Sequence, residues 1–240
     1  MNKNIEIFTK KYNKKGTFIR EIRSFVLRRK KNNKFYIELF KIYWYFCGID
    51  FLYKNIFFQS YFKNTNPVIL DIGFGYGNSL LKTAIKNSKK NYLGVEVYFP
   101  GIFYSVQKIF FLKLKNIKII YRDVTEVIKY MIPNNTIYKI QIFFPDPWKK
   151  RKHNKRRLLQ YSFLKKLSKK VQSGGFLHIT TDDESYSTFI LKNSKNISCL
   201  YDVSKNEFIK NKIIDRPITK FEKKSISQGR KIFDLLFIKK

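Results

Sequence analysis

Acids, cysteines and histidines are all scarce in this 240-residue chain, which has 17 Asp and Glu against 50 Lys and Arg, two cysteines and two histidines. Cys47 and Cys199 lie far apart, and neither stands at metal-ligand spacing from His153 or His178, so no metal site is expected. Two buried free thiols in a reducing cytosol are the natural reading. Long apolar runs are missing as well. The aromatic tract Phe35–Phe62 is broken by Lys41, Asp50 and Lys54, which excludes an unaided bilayer span. The opening MNKNIEIFTKKYNKKG has no apolar core of a secretory leader. The expectation is a cytoplasmic protein with no membrane partner.

What the chain does have is apolar bulk and positive charge. A hydrophobic fraction of 44%, with 18% aromatics, excludes a disordered polyelectrolyte. The length allows one domain with a modest extension and a sizeable core. Fifty cations less 17 acids give a net charge of +33, a field that attracts nucleic acid first and anionic membrane second. Lys, Asn, Ile, Phe and Tyr nevertheless recur everywhere, even in loops such as Lys86–Asn91, as A/T-rich coding would produce. Local clustering of charge therefore carries more information than the total.

From Val68 onward, short apolar runs alternate with longer amphipathic ones. Strands are expected at Val68–Leu70, Tyr92–Val97, Ile117–Tyr121, Ile137–Phe144 and Phe176–Thr180. Helices are expected at Asn78–Lys86 and Gly101–Lys113, in a segment N-capped by Thr125 that ends before Pro133, and at Leu158–Val171 and Ser185–Lys192, with Ser173–Gly175 as the stop after Leu158–Val171. This alternation implies an α/β fold: a doubly wound, mostly parallel sheet with helices on both faces. Lys231–Ile238 reads as a final antiparallel strand at the sheet edge. Residues 1–65 break the rhythm and read as a basic arm or helical extension that contacts RNA, leaving 66–240 as the main domain.

The stretch Leu70-Asp-Ile-Gly-Phe-Gly-Tyr-Gly77 places an acid and three glycines between a strand and a helix. Glycines there let backbone approach a ligand. The spacing is G-x-G-x-G rather than the G-x-G-x-x-G of a pyrophosphate cradle. Asp71 suits a cationic cofactor such as S-adenosylmethionine better than a diphosphate. Glu96, at the end of the second strand, stands where an acid binds adenosine ribose hydroxyls in doubly wound folds. Asp123, after the third strand, adds a third acid at the same sheet edge, which makes a convergent site.

A fourth strand end carries Phe143-Phe-Pro-Asp-Pro-Trp-Lys-Lys-Arg-Lys-His-Asn-Lys-Arg-Arg157, one acid between two prolines followed by a run of cations. Together with Ile22–Val26, Asp71–Gly75, Leu93–Val97, Thr181-Asp182 and Thr219-Lys-Phe-Glu222, these motifs give the chain its likeness from about Ile22 to its C-terminus. It resembles the single-subunit bacterial tRNA (guanine-N7-)-methyltransferases. The family's first motif usually begins with Glu; Asp71 is one methylene shorter, a difference of ~1.5 Å.

The resemblance implies a class I, Rossmann-like methyltransferase that binds S-adenosylmethionine through Asp71, Gly73, Gly75, Glu96, Asp123 and Asp146, with Asp146 also catalytic. Lys150, Asp182, Thr219, Lys220, Phe221 and Glu222 would hold the target nucleotide. Lys152, His153, Asn154, Lys155, Arg156 and Arg157 would grip tRNA phosphates. Guanine N7 carries a lone pair and no proton, so its methylation needs alignment and charge stabilisation rather than a general base. Trp148 either stacks on a base or anchors its loop, and His178, inside a strand, is structural. The expected enzyme is a monomer with tRNA as partner, methylating a variable-loop guanosine. A non-catalytic RNA-binding protein on the same fold is the alternative, and a nicotinamide oxidoreductase lacks both the glycine offset and a hydride-transfer residue.

Overall fold

A computed structural model describes residues 34–207 and 217–240. The Ile22–Val26 motif and the basic arm up to residue 33 lie outside the described residues. Two helices, α1 (Lys34–Cys47) and α2 (Phe58–Phe62), precede the alternating part. Then come β1 (Val68–Ile72), α3 (Asn78–Lys86), β2 (Asn91–Glu96), α4 (Phe99–Phe111), β3 (Ile117–Tyr121), α5 (Val124–Tyr130) and β4 (Ile137–Phe143). They are followed by α6 (Tyr161–Lys170), β5 (Val171–Thr181), α7 (Glu184–Lys195), β6 (Leu200–Asp202), α8 (Lys220–Ser227) and β7 (Phe233–Lys239).

The seven strands run in the order β3-β2-β1-β4-β5-β7-β6. β1 to β5 are parallel, and β7 is antiparallel to both its neighbours. This is the doubly wound sheet the alternation implies. The C-terminal strand is antiparallel as expected, and the three-residue β6 lies outside it. Successive strand residues face opposite sides. Val68, Leu70 and Ile72 accordingly join the core under α5, α6 and α7, while Ile69 joins the core under α1, α3 and α4. Phe40, Tyr43 and Cys47 of α1 are buried in that second core, with Phe40 packed on Phe99 at 5.1 Å between ring centroids.

Several boundaries moved for local reasons. α4 starts at Phe99 because Pro100 is tolerated in a helix's first turn. α6 ends at Lys170, so the helix stop is not Ser173–Gly175; Val171 is already extended and pairs with Ile137. Gly175 serves strand packing, since a Cβ there would lie 2.6 Å from Tyr138 O. Thr125 is not the N-cap of α5. Asp123 is, its Oδ1 accepting from Thr125 N at 2.8 Å. Cys47 is buried, which pushes its thiol up to about 12, whereas Cys199 is only partly covered. Among the described residues, no helix is long and apolar enough to cross a membrane.

Candidate active site

Because β1 to β5 are parallel, their carboxyl ends share one edge, and Asp71, Glu96, Asp123, Asp146 and Asp182 stand at or just beyond those ends. The turn after β1 is built by its neighbours. Gly73 N donates to Val95 O at 2.9 Å, tying it to β2. Gly73 and Gly75 have φ of 75° and 59°, and a Cβ on either would meet nothing within 4 Å. Their backbone therefore faces open space that a ligand could fill. Gly101 presses from the other side: its Cβ would lie 2.2 Å from Gly75 O. Only glycine lets the first turn of α4 approach this closely. Read only as a helix start, Gly101 escaped notice as a site residue; a glycine inside a helical pattern is the signal that could have found it.

Glu96 closes the same turn. Its Oε2 accepts from Gly75 N at 2.8 Å, and its Oε1 accepts from Val97 N at 2.6 Å and Tyr98 N at 3.0 Å. An ionised carboxylate offers about four acceptor sites, so about one remains, on Oε2. Tyr121, opposite Glu96 in the β2–β3 register, has its phenol pushed up to about 12 by burial and then by the Glu96 charge. It stays a protonated donor at neutral pH. Asp71 and Asp123 differ from Glu96 in being 2% and 4% exposed. Asp71 Oδ2 accepts from Gln141 Nε2 at 2.9 Å, and Asp123 Oδ1 also accepts from Thr125 Oγ1 at 2.7 Å. Gln141, its register partner on β4, was not singled out as a site residue in a segment read only as a strand.

Beyond β4 the chain turns sharply. Phe144 and Trp148 take φ of 53° and 47°, a left-handed conformation that bulky residues rarely adopt. Phe144 N donates to Thr180 O at 2.8 Å, holding the near end. The Trp148 ring meets the Arg156 guanidinium at 5.1 Å and the His153 ring at 5.8 Å, which anchors the far end. Between them Asp146 is exposed, and no hydrogen bond or ion pair with another described residue engages it. Its charge is felt nearby: burial chiefly, with a contribution from Asp146, pushes the Tyr186 phenol up to about 12.

The cationic run divides in two. Residues Arg151–Arg156 form a 3-10 helix on which Lys152, Lys155 and Arg156 are exposed, with Lys150 exposed at its start. His153 and Asn154 are half-buried. Desolvation, then Arg156, Lys152, Lys150 and Lys155, hold the His153 imidazole below its ordinary range. Arg157 is different, being 2% exposed. Its Nε donates to Pro147 O at 2.8 Å and its Nη2 to Ser185 Oγ at 3.0 Å, while its guanidinium lies 5.0 Å from the Tyr186 ring. The expectation of a phosphate ligand gives way there to a brace for the Pro-Asp-Pro loop, because the group is buried and already satisfied.

The tail lies along the same edge. Ser79 Oγ, at the start of α3, donates to Pro217 O at 3.4 Å. Thr219 and Glu222 form a reciprocal capping box at the start of α8: Glu222 N donates to Thr219 Oγ1 at 3.1 Å and Thr219 N to Glu222 Oε2 at 3.2 Å. The T-x-x-E spacing carried that signal, which the reading of a substrate-binding loop passed over. Lys220 is exposed. Phe221 lies against Phe144, centroids 6.5 Å apart at 23°. Asp182, after β5, accepts from Ser225 Oγ at 2.7 Å and pairs with Arg230 on the same oxygen, while Asp183 caps α7. The tail thus touches the start of α3, the Phe144 turn and the end of β5. Ser225 and Arg230 had no local sequence signature.

A family model described as putative methyltransferase matches residues 65–235. A tRNA (guanine-N(7)-)-methyltransferase of Buchnera aphidicola subsp. Acyrthosiphon pisum (strain 5A) is 48% identical over 232 residues, covering 96% of this chain and 97% of that protein. One of Histophilus somni (strain 2336) is 39% identical over 229 residues, covering 93% and 89%. Among solved structures, the 16S rRNA methyltransferase KamB covers 76% of this chain and 93% of its own at TM-score 0.52 and 11% identity, a likeness of fold alone.

Proposed function

The chain belongs to the tRNA (guanine-N(7)-)-methyltransferase family, and from that premise we propose that it transfers a methyl group from S-adenosylmethionine to N7 of a guanosine in the variable loop of tRNA. The donor fits the edge described above. Gly73 and Gly75 leave open space, Glu96 keeps about one acceptor for a ribose hydroxyl, and Asp71 and Asp123 are carboxyl groups on the same edge that would suit a cationic donor. Bound there, the donor supplies a methyl group activated by sulfonium charge.

The protein's own work is orientation and electrostatics. N7 surrenders no proton, so no side chain need act as a base. Asp146, held between Pro145 and Pro147, faces the positive charge that develops on the purine. Asp182 anchors α8, through which Thr219, Lys220, Phe221 and Glu222 border the target nucleotide. Lys150 reaches that nucleotide, and Lys152, His153, Asn154, Lys155 and Arg156 meet the flanking phosphates, which position RNA without reading its sequence. Arg157 braces the loop. The enzyme works as a cytoplasmic monomer.

One observation carries this reading: an exposed carboxylate, unengaged by the other described residues, on a braced turn between an open glycine cradle and a cationic helix. Incubating tRNA with the protein and methyl-labelled donor, followed by nucleoside analysis, tests it. Labelled 7-methylguanosine is expected. tRNA binding without transfer would instead support the non-catalytic RNA-binding protein.

A further inference from the structure

We infer that Phe221, backed by Phe144, is the stacking face that receives the target guanine once it leaves the tRNA stack. The inference rests on the guanine-N7 reading above and adds the contact that would hold the base in plane.

Three observations converge. Phe221 is 69% exposed, a large apolar cost for a side chain on a helix fixed at both ends, by Ser79 to Pro217 and by Asp182 to Ser225 and Arg230. It is not loose on the surface: its ring leans on Phe144 at 6.5 Å and 23°. Phe144 in turn holds a left-handed backbone two residues before Asp146. Outliers of this kind persist where the surroundings over-determine them, and they cluster at ligand clamps. The order along the edge is therefore aromatic face, exposed carboxylate, cationic helix.

That order matches a splayed-out purine nucleotide: flat face, edge that becomes cationic, and phosphates. An extruded base is read by stacking on aromatic side chains and by contacts to its edges. The N7 lone pair lies in the ring plane, so the methyl group must arrive in that plane. Fixing the plane on Phe221 removes the tilts that misalign attack and leaves Asp146 to stabilise the charge. Phosphate contacts cannot do this, because they leave the base free to swivel.

The test compares Phe221→Ala, Phe221→Leu and Phe221→Tyr with the unaltered protein, using tRNA and labelled donor. Phe221→Ala should lower kcat/KM roughly 5- to 150-fold, the range spanned when a base–aromatic stack is truncated, with the salt dependence of tRNA binding unchanged. Phe221→Leu should fall nearly as far, and Phe221→Tyr should stay near the unaltered rate. A fully active Leu variant would reduce Phe221 to an apolar spacer and overturn the inference; so would an unaffected Ala variant. A tRNA carrying 2-aminopurine at the target position gives a readout independent of turnover. Its fluorescence, raised when the base leaves the tRNA stack, should be lower on the unaltered and Tyr proteins than on the Ala variant, and equal fluorescence on all three refutes stacking. If the unaltered protein makes no 7-methylguanosine, the reaction itself is misassigned; if it does and the Ala variant matches it, only the stacking fails.

Discussion

The two halves of the candidate site are built in opposite ways. At the β1–β3 end, carboxylates are largely engaged in advance: Glu96 takes three backbone N–H groups and keeps about one acceptor, and Asp71 and Asp123 are buried and bonded. At the β4–β5 end, Asp146 is exposed with no hydrogen bond or ion pair to another described residue, and the contacts there join distant parts of the chain, Phe144 to Phe221 and Asp182 to Arg230. The first half can bind a preformed small molecule with little rearrangement. The second leaves charge and aromatic surface open for a large, flexible substrate.

Breaking the open half should cost catalysis most. Asp146→Asn keeps the shape between the prolines and removes the charge, so single-turnover methyl transfer should fall by roughly 10²–10³-fold, the scale of one lost preorganised contact. tRNA affinity should stay near its original value. The pH–rate profile of the unaltered protein should show no base titrating near neutrality, because N7 has no proton to give. Full activity in the Asn variant would reduce the Pro-Asp-Pro turn to scaffolding.

Breaking the preformed half should cost donor binding instead. Glu96→Ala leaves the N–H groups of Gly75, Val97 and Tyr98 without their acceptor. It also removes the acceptor for the ribose; a hydroxyl left unpaired beneath the bound donor costs about 1–3 kcal/mol, and calorimetry with S-adenosylmethionine should read a loss of that order. Gly101→Ala drives a Cβ into Gly75 O and should cost about 1–3 kcal/mol of stability by overpacking, together with weaker donor binding. Unchanged donor affinity in both folded variants would detach the cofactor from this turn.

The same contrast explains what was legible in the sequence. The glycine turn and Glu96 could be read because neighbours in sequence build them: strand, turn and acid recur in order, and the alternation placed each at one edge. Gly101 and Gln141 escaped because their partners, Gly75 O and Asp71, lie on other elements. Asp146 stood out through its flanking prolines, but its exposure on a braced turn is a property of three dimensions. Arg157 looked like its neighbours in a basic run, and only burial beneath Pro147 and over Tyr186 separates it. Thr219 and Glu222 show the reverse error, in which a local capping box was passed over for a role implied by likeness.

Arg157 also sharpens the comparison within the cationic run. Replacing both Lys152 and Lys155 by Ala should flatten the salt dependence of tRNA binding by about 0.7–0.9 log unit per lost phosphate contact. Arg157→Ala should leave that slope alone and lower the melting temperature, since it removes a buried guanidinium with two hydrogen bonds. Equal slopes for all variants would make the exposed helix an ordinary solvated surface.

The smallest effect expected is a pH dependence carried by His153. The chain has two histidines, and His178 is fully buried against Asp234, so His153 is the imidazole open to RNA. In the free protein, desolvation and the cations Arg156, Lys152, Lys150 and Lys155 hold it below the ordinary imidazole range, which favours the neutral form. A phosphate beside it would favour the protonated form and raise its pKa. The sign follows: tRNA binding must take up protons, and affinity must rise as pH falls through the raised pKa and level off below the depressed one. Protonation adds one cation, so the salt slope should steepen by at most one contact's worth, about 0.7–0.9 log unit, at the acid end. His153→Gln should remove both trends while leaving methyl transfer at saturating tRNA unchanged. Affinity that stays flat with pH in the unaltered protein would place His153 against Trp148 as part of the anchor alone, with the lysines and Arg156 meeting the phosphates unaided.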